Sequence, residues 1–197
     1  LQAHNDILVA TGVSISSTVG ALNVTLNSDS DATSGGAIVL SGSNVFSTNG
    51  GNITLGGGAD PTTGYATGNA TYTNGILIQS NSQLLSSGGN ITVRGKSASG
   101  GVNGNGIFAI NTTTINSGTG AIAIEGKTAG DGTAGFNHGF EFNNGGGTTT
   151  ITSAKTSGTA ISLIGDASAT GNSGNQGAGV GFFWAGNTVQ ATGGGEG

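Results

Sequence analysis

The chain has 197 residues and a net charge of −5, and only 7% of it is charged, against about 25% in an ordinary soluble domain. Its four basic residues, Arg94, Lys96, Lys127 and Lys155, cannot build the basic patch that nucleic acid requires, and no apolar run approaches the ~18 residues of a membrane-crossing helix. Glycine, at 42 residues, argues against helices, while regularly placed Ile, Val and Thr argue against disorder.

Taken in chain order, apolar pairs at i and i+2 fall into units of three short strands. The first unit holds Ile7-Leu8-Val9, Val13-Ser14-Ile15 and Leu22-Asn23-Val24. The second holds Ala37-Ile38-Val39-Leu40, Val45-Phe46 and Ile53-Thr54-Leu55. The third holds Ile76-Leu77-Ile78, Leu84 and Ile91-Thr92-Val93, and the fourth Ile107-Phe108-Ala109-Ile110, Ile115 and Ile122-Ala123-Ile124. The fifth holds Phe140-Glu141-Phe142, Ile151 and Ile161-Ser162-Leu163. The sixth begins with Phe182-Phe183-Trp184 and Val189 and stops before a third strand. Alternation of this kind is the signature of strands with one buried face.

The third strand carries the clearest repeat. Gly89-Asn90-Ile91-Thr92-Val93-Arg94-Gly95-Lys96 is echoed by Gly51-Asn52-Ile53-Thr54-Leu55-Gly56 and by Gly120-Ala121-Ile122-Ala123-Ile124-Glu125-Gly126-Lys127. The looser copies are Gly20-Ala21-Leu22-Asn23-Val24 and Thr159-Ala160-Ile161-Ser162-Leu163-Ile164-Gly165-Asp166. The intervals Leu22–Ile53, Ile53–Ile91, Ile91–Ile122 and Ile122–Ile161 are 31, 38, 31 and 39 residues. Such unequal spacing suits a coil with fixed core strands and one corner that accepts insertions. The expected insertions are Gly56–Asn74, Arg94–Asn105, Glu125–His138 and Gly165–Val180, all on one edge. The only proline, Pro61, lies in the first of them, where no ladder donor is lost.

The expected fold is therefore an all-β solenoid, a parallel β-helix of about six coils of three short strands, forming one segment over residues 1–197. At ~4.8 Å per coil the rod is roughly 30 Å long. Ile53, Ile91, Ile122 and Ile161 are expected to stack in one core column, and Ile76, Ile107, Phe140 and Phe182 in another, with the core widening toward Trp184. Neither end carries an amphipathic cap, so a piece of a longer protein or a subunit stacking on its neighbours is expected.

The residues of catalysis are sparse. The acids are Asp6, Asp29, Asp31, Asp60, Asp131, Asp166, Glu125, Glu141 and Glu196, and only Asp29 and Asp31 are close in sequence, in a stretch that reads as a turn. Asp131 and Asp166 would meet only by stacking of adjacent loops. Gly130-Asp131-Gly132 lacks the second copy that a calcium site between coils requires. His4 and His138 are too few for zinc, and His138 reads as a corner residue bonded to the backbone. Asn23, Asn52, Asn69, Asn90 and Asn111 each open an Asn-X-Thr sequon. Asn52 and Asn90 fall at equivalent positions, so a stacked asparagine ladder accounts for them as well as glycosylation does. Thr112-Thr113-Thr114 and Thr148-Thr149-Thr150 would bind ice only if the array ran through every coil, and Ser80-Asn81-Ser82 interrupts it. Phe182-Phe183-Trp184 reads either as a carbohydrate platform or, by alternation, as two core residues flanking an outward Phe183.

The glycine-flanked GGNITL and GGNITVRG strands with Ser/Thr/Asn-rich connections resemble the filamentous-hemagglutinin-like exoproteins of Gram-negative bacteria, secreted by the two-partner route, and the related repeats of autotransporter passengers. The resemblance spans about Val13 to Val189 and lies in repeat texture. It implies a right-handed parallel β-helix, a secreted or cell-surface location and a role in adhesion or matrix formation. The leading expectation is a non-catalytic structural and adhesive module. A self-assembling fibre subunit and a carbohydrate-active β-helix enzyme are the alternatives. Expected partners are neighbouring solenoid segments or identical subunits and a host or cell-surface glycan or protein, with no nucleic acid, membrane insertion, metal or cofactor.

Overall fold

Short alternating runs bury nothing alone; they bury a face only when stacked. In the computed structural model, which describes residues 1–33, 35–100, 104–129, 137–143, 145–168 and 177–194, they stack as a parallel β-helix with no helix among the described residues. The first coil is β1 (Ile7–Val9), β2 (Ser14–Ser16) and β3 (Val24–Ser28), and the second is β4 (Ile38–Leu40), β5 (Val45–Ser47) and β6 (Ile53–Gly57). A short strand within the following insertion is β7 (Ala66–Thr67), ahead of β8 (Ile76–Ile78), β9 (Ser82–Leu85) and β10 (Ile91–Lys96). The fourth coil is β11 (Ile107–Ile110), β12 (Thr113–Asn116) and β13 (Ile122–Lys127), and the fifth β14 (Phe140–Asn143), β15 (Thr149–Ser153) and β16 (Ile161–Asp166). The sixth contributes β17 (Val180–Phe183) and β18 (Thr188–Ala191).

Equivalent strands pair in parallel along three faces. The first face runs β1-β4-β8-β11-β14-β17, the second β2-β5-β9-β12-β15-β18 and the third β3-β6-β10-β13-β16. β7 pairs with β10 at Gly95 and Lys96, taking over where β6 ends its pairing at Val93. Each inward position is a column. Ile53, Ile91, Ile122 and Ile161 stack on the third face, and Phe46, Leu84, Ile115 and Ile151 on the second. These side chains are buried and form one continuous core.

Three details of register differ from the sequence expectation. Val24, not Leu22, pairs with Ile53, because the buried alternation of β3 runs Val24, Leu26 and leaves Leu22 packed at the corner. The column Ile76, Ile107, Phe140 continues into Val180, and Phe182 stacks instead above Phe142. Trp184 does not enter the core: β17 ends at Phe183, the chain turns into the left-handed region at Trp184 (φ +72°), and the indole is 71% exposed. β10, β13 and β16 also run on to Lys96, Lys127 and Asp166, so the insertions begin later than expected and Val180 opens a strand. They nevertheless all join the third face to the first, on one edge.

Glycine fixes the register of the first face. Gly75, Gly106, Gly139 and Gly179 each precede its strand, opposite the chain emerging from the third face. A Cβ on Gly139 would lie 2.5 Å from both the Asp166 amide nitrogen and the Gly179 carbonyl oxygen. No side chain fits there, so His138-Gly139-Phe140 aligns with Ala178-Gly179-Val180 and Phe182 is carried two residues past Phe140.

Candidate binding cleft

Just before the first three of these glycines stands a column of Asn74, Asn105 and His138. Each side chain accepts the backbone N–H of the same position one coil on. Asn74 Oδ1 accepts from the Asn105 amide (2.8 Å), Asn105 Oδ1 from the His138 amide (2.8 Å), and His138 Nδ1 from the Ala178 amide (2.9 Å). An acceptor at Nδ1 places the imidazole proton on Nε2. His138 is 1% exposed. Burial pushes its pKa below the ordinary histidine value, against the opposing pull of Glu141, so it is neutral at pH 7.

The column supports the outer side of the first face. There Glu141 of β14 stands in register between Phe108 of β11 and Gly181 of β17. The residue is 8% exposed, and its carboxylate accepts from Asn105 Nδ2 at 2.7 Å and from Asn143 Nδ2 at 3.1 Å, while His138 Nε2 lies 3.9 Å away. Gly181 leaves the space above Glu141 open to the Phe183 ring; a Cβ there would meet Phe183 Cε2 at 2.5 Å. That ring packs 5.2 Å from the imidazole. With Trp184 at the mouth these groups enclose a cleft of about 280 Å³. Phe108, Phe183 and Trp184 supply its apolar wall, and Asn105, Glu141 and Asn143 its polar one.

A carboxylate has about four lone-pair sites. Two are taken by asparagine amides, which hold the group rigid and partly offset its burial. The remaining sites can accept hydroxyl or N–H donors from a bound molecule whose apolar side meets the aromatic rings. Glycoside hydrolysis commonly uses two carboxylates, and among the described residues Glu141 is the only one lining the cleft.

The residues singled out in the sequence land elsewhere. Asn23, Asn52 and Asn90 are exposed and form a ladder along the third face: Asn23 Oδ1 accepts from the Asn52 amide and Asn52 Oδ1 from the Asn90 amide, both at 2.8 Å, and Asn90 Oδ1 from the Ala121 amide at 2.9 Å. Asn69 folds a turn, accepting from the amides of Thr71 and Tyr72 and donating to Asp6. Asn111, in the left-handed region at φ +62°, donates to Ser80 Oγ. Asp29 and Asp31 both accept hydrogen bonds within their own turn, from Thr33 and, for Asp29, also from Gly35. Asp166 accepts from Ser168 just past β16. Asp131 and the Gly130-Asp131-Gly132 stretch lie outside the described residues, and no group of three metal-ligating side chains occurs among those described. Thr114, Thr150 and Thr188 stack on the second face, but Gln83 and Val45 continue that column.

A second cluster went unread in the sequence. On the outer side of the third face Glu125 pairs with Arg94 (2.7 Å) and Lys127 (3.5 Å). The Tyr65 hydroxyl, from the insertion before β8, donates to Glu125 and accepts from Arg94 Nη2 (2.8 Å), with both cations over its ring. Burial works to raise the Glu125 carboxyl, but the Tyr65 hydroxyl, Arg94 and Lys127 outweigh it and hold the group below its ordinary value. The cluster is internally satisfied and fastens the insertion to the rod. The hydrogen bonds from Tyr65 to this cluster and from Asn105 to Glu141 link residues 29 to 60 positions apart, which no local pattern joins; only the repeated Asn-Gly-Ile of Asn74-Gly75-Ile76 and Asn105-Gly106-Ile107 signals the polar column. Comparison with protein-family models, curated proteins and solved structures returns no match.

Proposed function

We propose that the chain is a non-catalytic structural and adhesive module of a Gram-negative surface exoprotein, a β-solenoid rod that holds a partner's surface group in its outer cleft. The observation that carries this reading is the cleft itself. It offers a rigidly held carboxylate, flanking amides and an aromatic wall, which are the groups that bind and orient a polar molecule with an apolar face. The Glu141 carboxylate is bound by two amides and the His138 imidazole is neutral and occupied by a backbone bond, which favours holding over hydrolysis. The extracellular setting rests on the repeat texture of GGNITL and GGNITVRG and on a surface with few charges. The partner is a host or cell-surface glycan or protein.

Purified chain is incubated with intact cells and with immobilised cell-surface polysaccharides, and both retention and the release of new reducing ends are measured. Saturable retention without new reducing ends is expected. Reducing ends that disappear in Glu141→Gln would make the protein an enzyme. Failure to be retained on any surface would sink the adhesive reading.

A further inference from the structure

We propose that the cleft is a subsite for one neutral pyranose ring, which presents a pair of adjacent hydroxyls to Glu141 and its C–H face to Phe183 and Trp184. This rests on the adhesive reading and names the ligand class of the same site. Size comes first. At about 280 Å³ the cleft falls just under the usual span of small-molecule sites, roughly 300–1,000 Å³, and suits a single ring.

Chemistry narrows the class. Asn105 Nδ2 and Asn143 Nδ2 occupy one site on each Glu141 oxygen, Oε2 and Oε1 respectively. One acceptor direction per oxygen remains, the pattern that receives two hydroxyls on neighbouring carbons. Phe183 and Trp184 flank these acceptors, so a ring with equatorial hydroxyls on its edge and C–H bonds on its face satisfies both walls at once. Trp184 is held in a left-handed conformation that bulky residues rarely adopt, with its indole turned out beside the cleft. Strain of that kind concentrates at ligand clamps.

Charge excludes the acidic sugars. Among the described residues Glu141 is the one carboxylate lining the cleft, and no lysine or arginine lies beside it there. A uronate or sialate carboxylate would face a desolvated anion with no cation to pair it. A quaternary ammonium would gain from Glu141 and the aromatic rings, but its head carries no N–H to fill the two acceptor directions left on the carboxylate.

The chain has one tryptophan, so its fluorescence reports on the cleft directly. The whole chain is titrated with the methyl glycosides of glucose, galactose and mannose, with glucuronate and with choline. At least one neutral glycoside is expected to shift the emission saturably and to bind Glu141→Gln at least tenfold more weakly, the variant melting within a few degrees of the wild type. Trp184→Ala, which removes an exposed side chain and spares the fold, is expected to lose retention on the same sugar immobilised on resin. The proposal is overturned if no neutral glycoside binds, if neither variant weakens binding, or if glucuronate or choline binds more tightly. Retention on cells that survives those results leaves the adhesive module standing without this subsite, whereas loss of all retention removes both.

Discussion

Single hydroxyls hold the corner between the second and third faces. Thr48 Oγ1 donates to the Gly51 carbonyl (2.6 Å), Ser86 Oγ to Gly89 (2.5 Å) and Ser117 Oγ to Gly120 (2.6 Å), all buried. Each side chain closes its own turn three residues on, and the three stand one above another. Ser86→Ala would leave a buried carbonyl without that donor and is expected to cost about 1–3 kcal/mol. Urea unfolding with an unchanged m-value checks it. Gly139→Ala is expected to be worse, because the new methyl meets backbone on two sides and neither side can yield alone. The corner motif was there to be read, as Ser17-Thr18-Val19-Gly20, Thr48-Asn49-Gly50-Gly51, Ser86-Ser87-Gly88-Gly89 and Ser117-Gly118-Thr119-Gly120. It escaped notice because Ser and Gly are common in any turn; only burial separates this use from the ordinary one.

At the scale of the element, β14 shows how one strand serves both core and cleft. Its inward Phe140 and Phe142 pack edge to face, centroids 5.1 Å apart, and Phe142 stacks on Phe182 at 5.4 Å, above the small Ala109. Phe142→Ala is expected to cost about 3–5 kcal/mol in chemical denaturation, the range for emptying a buried aromatic site. The outward Glu141 then inherits its place from the pleat alone. The Asn74–Asn105–His138 column that braces it adds a pH dependence. The folded pKa of His138 lies below the unfolded value of about 6.5, so the unfolded chain binds the extra proton first. Its contribution to stability is complete above pH 6.5 and is lost as pH falls through the folded pKa. His138→Asn extends the asparagine column and keeps an acceptor for the Ala178 amide, so its stability is expected to fall less steeply below pH 6.5. Melting temperatures of the two proteins from pH 7.5 to 5 provide the comparison.

Across the whole molecule each coil touches chiefly the coils beside it, so stability is close to a sum of neighbouring terms. The insertions depart from that rule. Tyr65, carried between the second and third coils, reaches Glu125 in the fourth, and Asn69 of the same insertion reaches back to Asp6 in the first. One loop therefore fastens several coils along the edge. Glu125→Gln weakens a partly exposed ion network, with an expected stability change of only about 1 kcal/mol or less. Its larger effect is expected to be local: faster proteolytic cutting in the segment 58–64, read by mass spectrometry of the fragments. Cutting at the wild-type rate would show that Tyr65 holds the insertion without Glu125.

The architecture and the core columns of Ile53, Ile91, Ile122 and Ile161 follow from sequence alone, because alternation in a pleated strand assigns faces and recurrence of short strands demands stacking. The placement of the insertions on one edge follows from the same unequal intervals. Tertiary structure decided the rest. Which residue lies above which on the first face depends on how closely two backbones approach at Gly139 and Gly179, which carries Phe182 past Phe140, while Leu22 is displaced by the alternation of β3 and Trp184 by the turn that ends β17. The cleft is assembled from β11, β14, β17 and the residues that precede or follow them, in coils about thirty to forty residues apart. A repeat discloses that its units stack, but a single polar side chain on each unit carries no mark of what the neighbouring coil will bring against it.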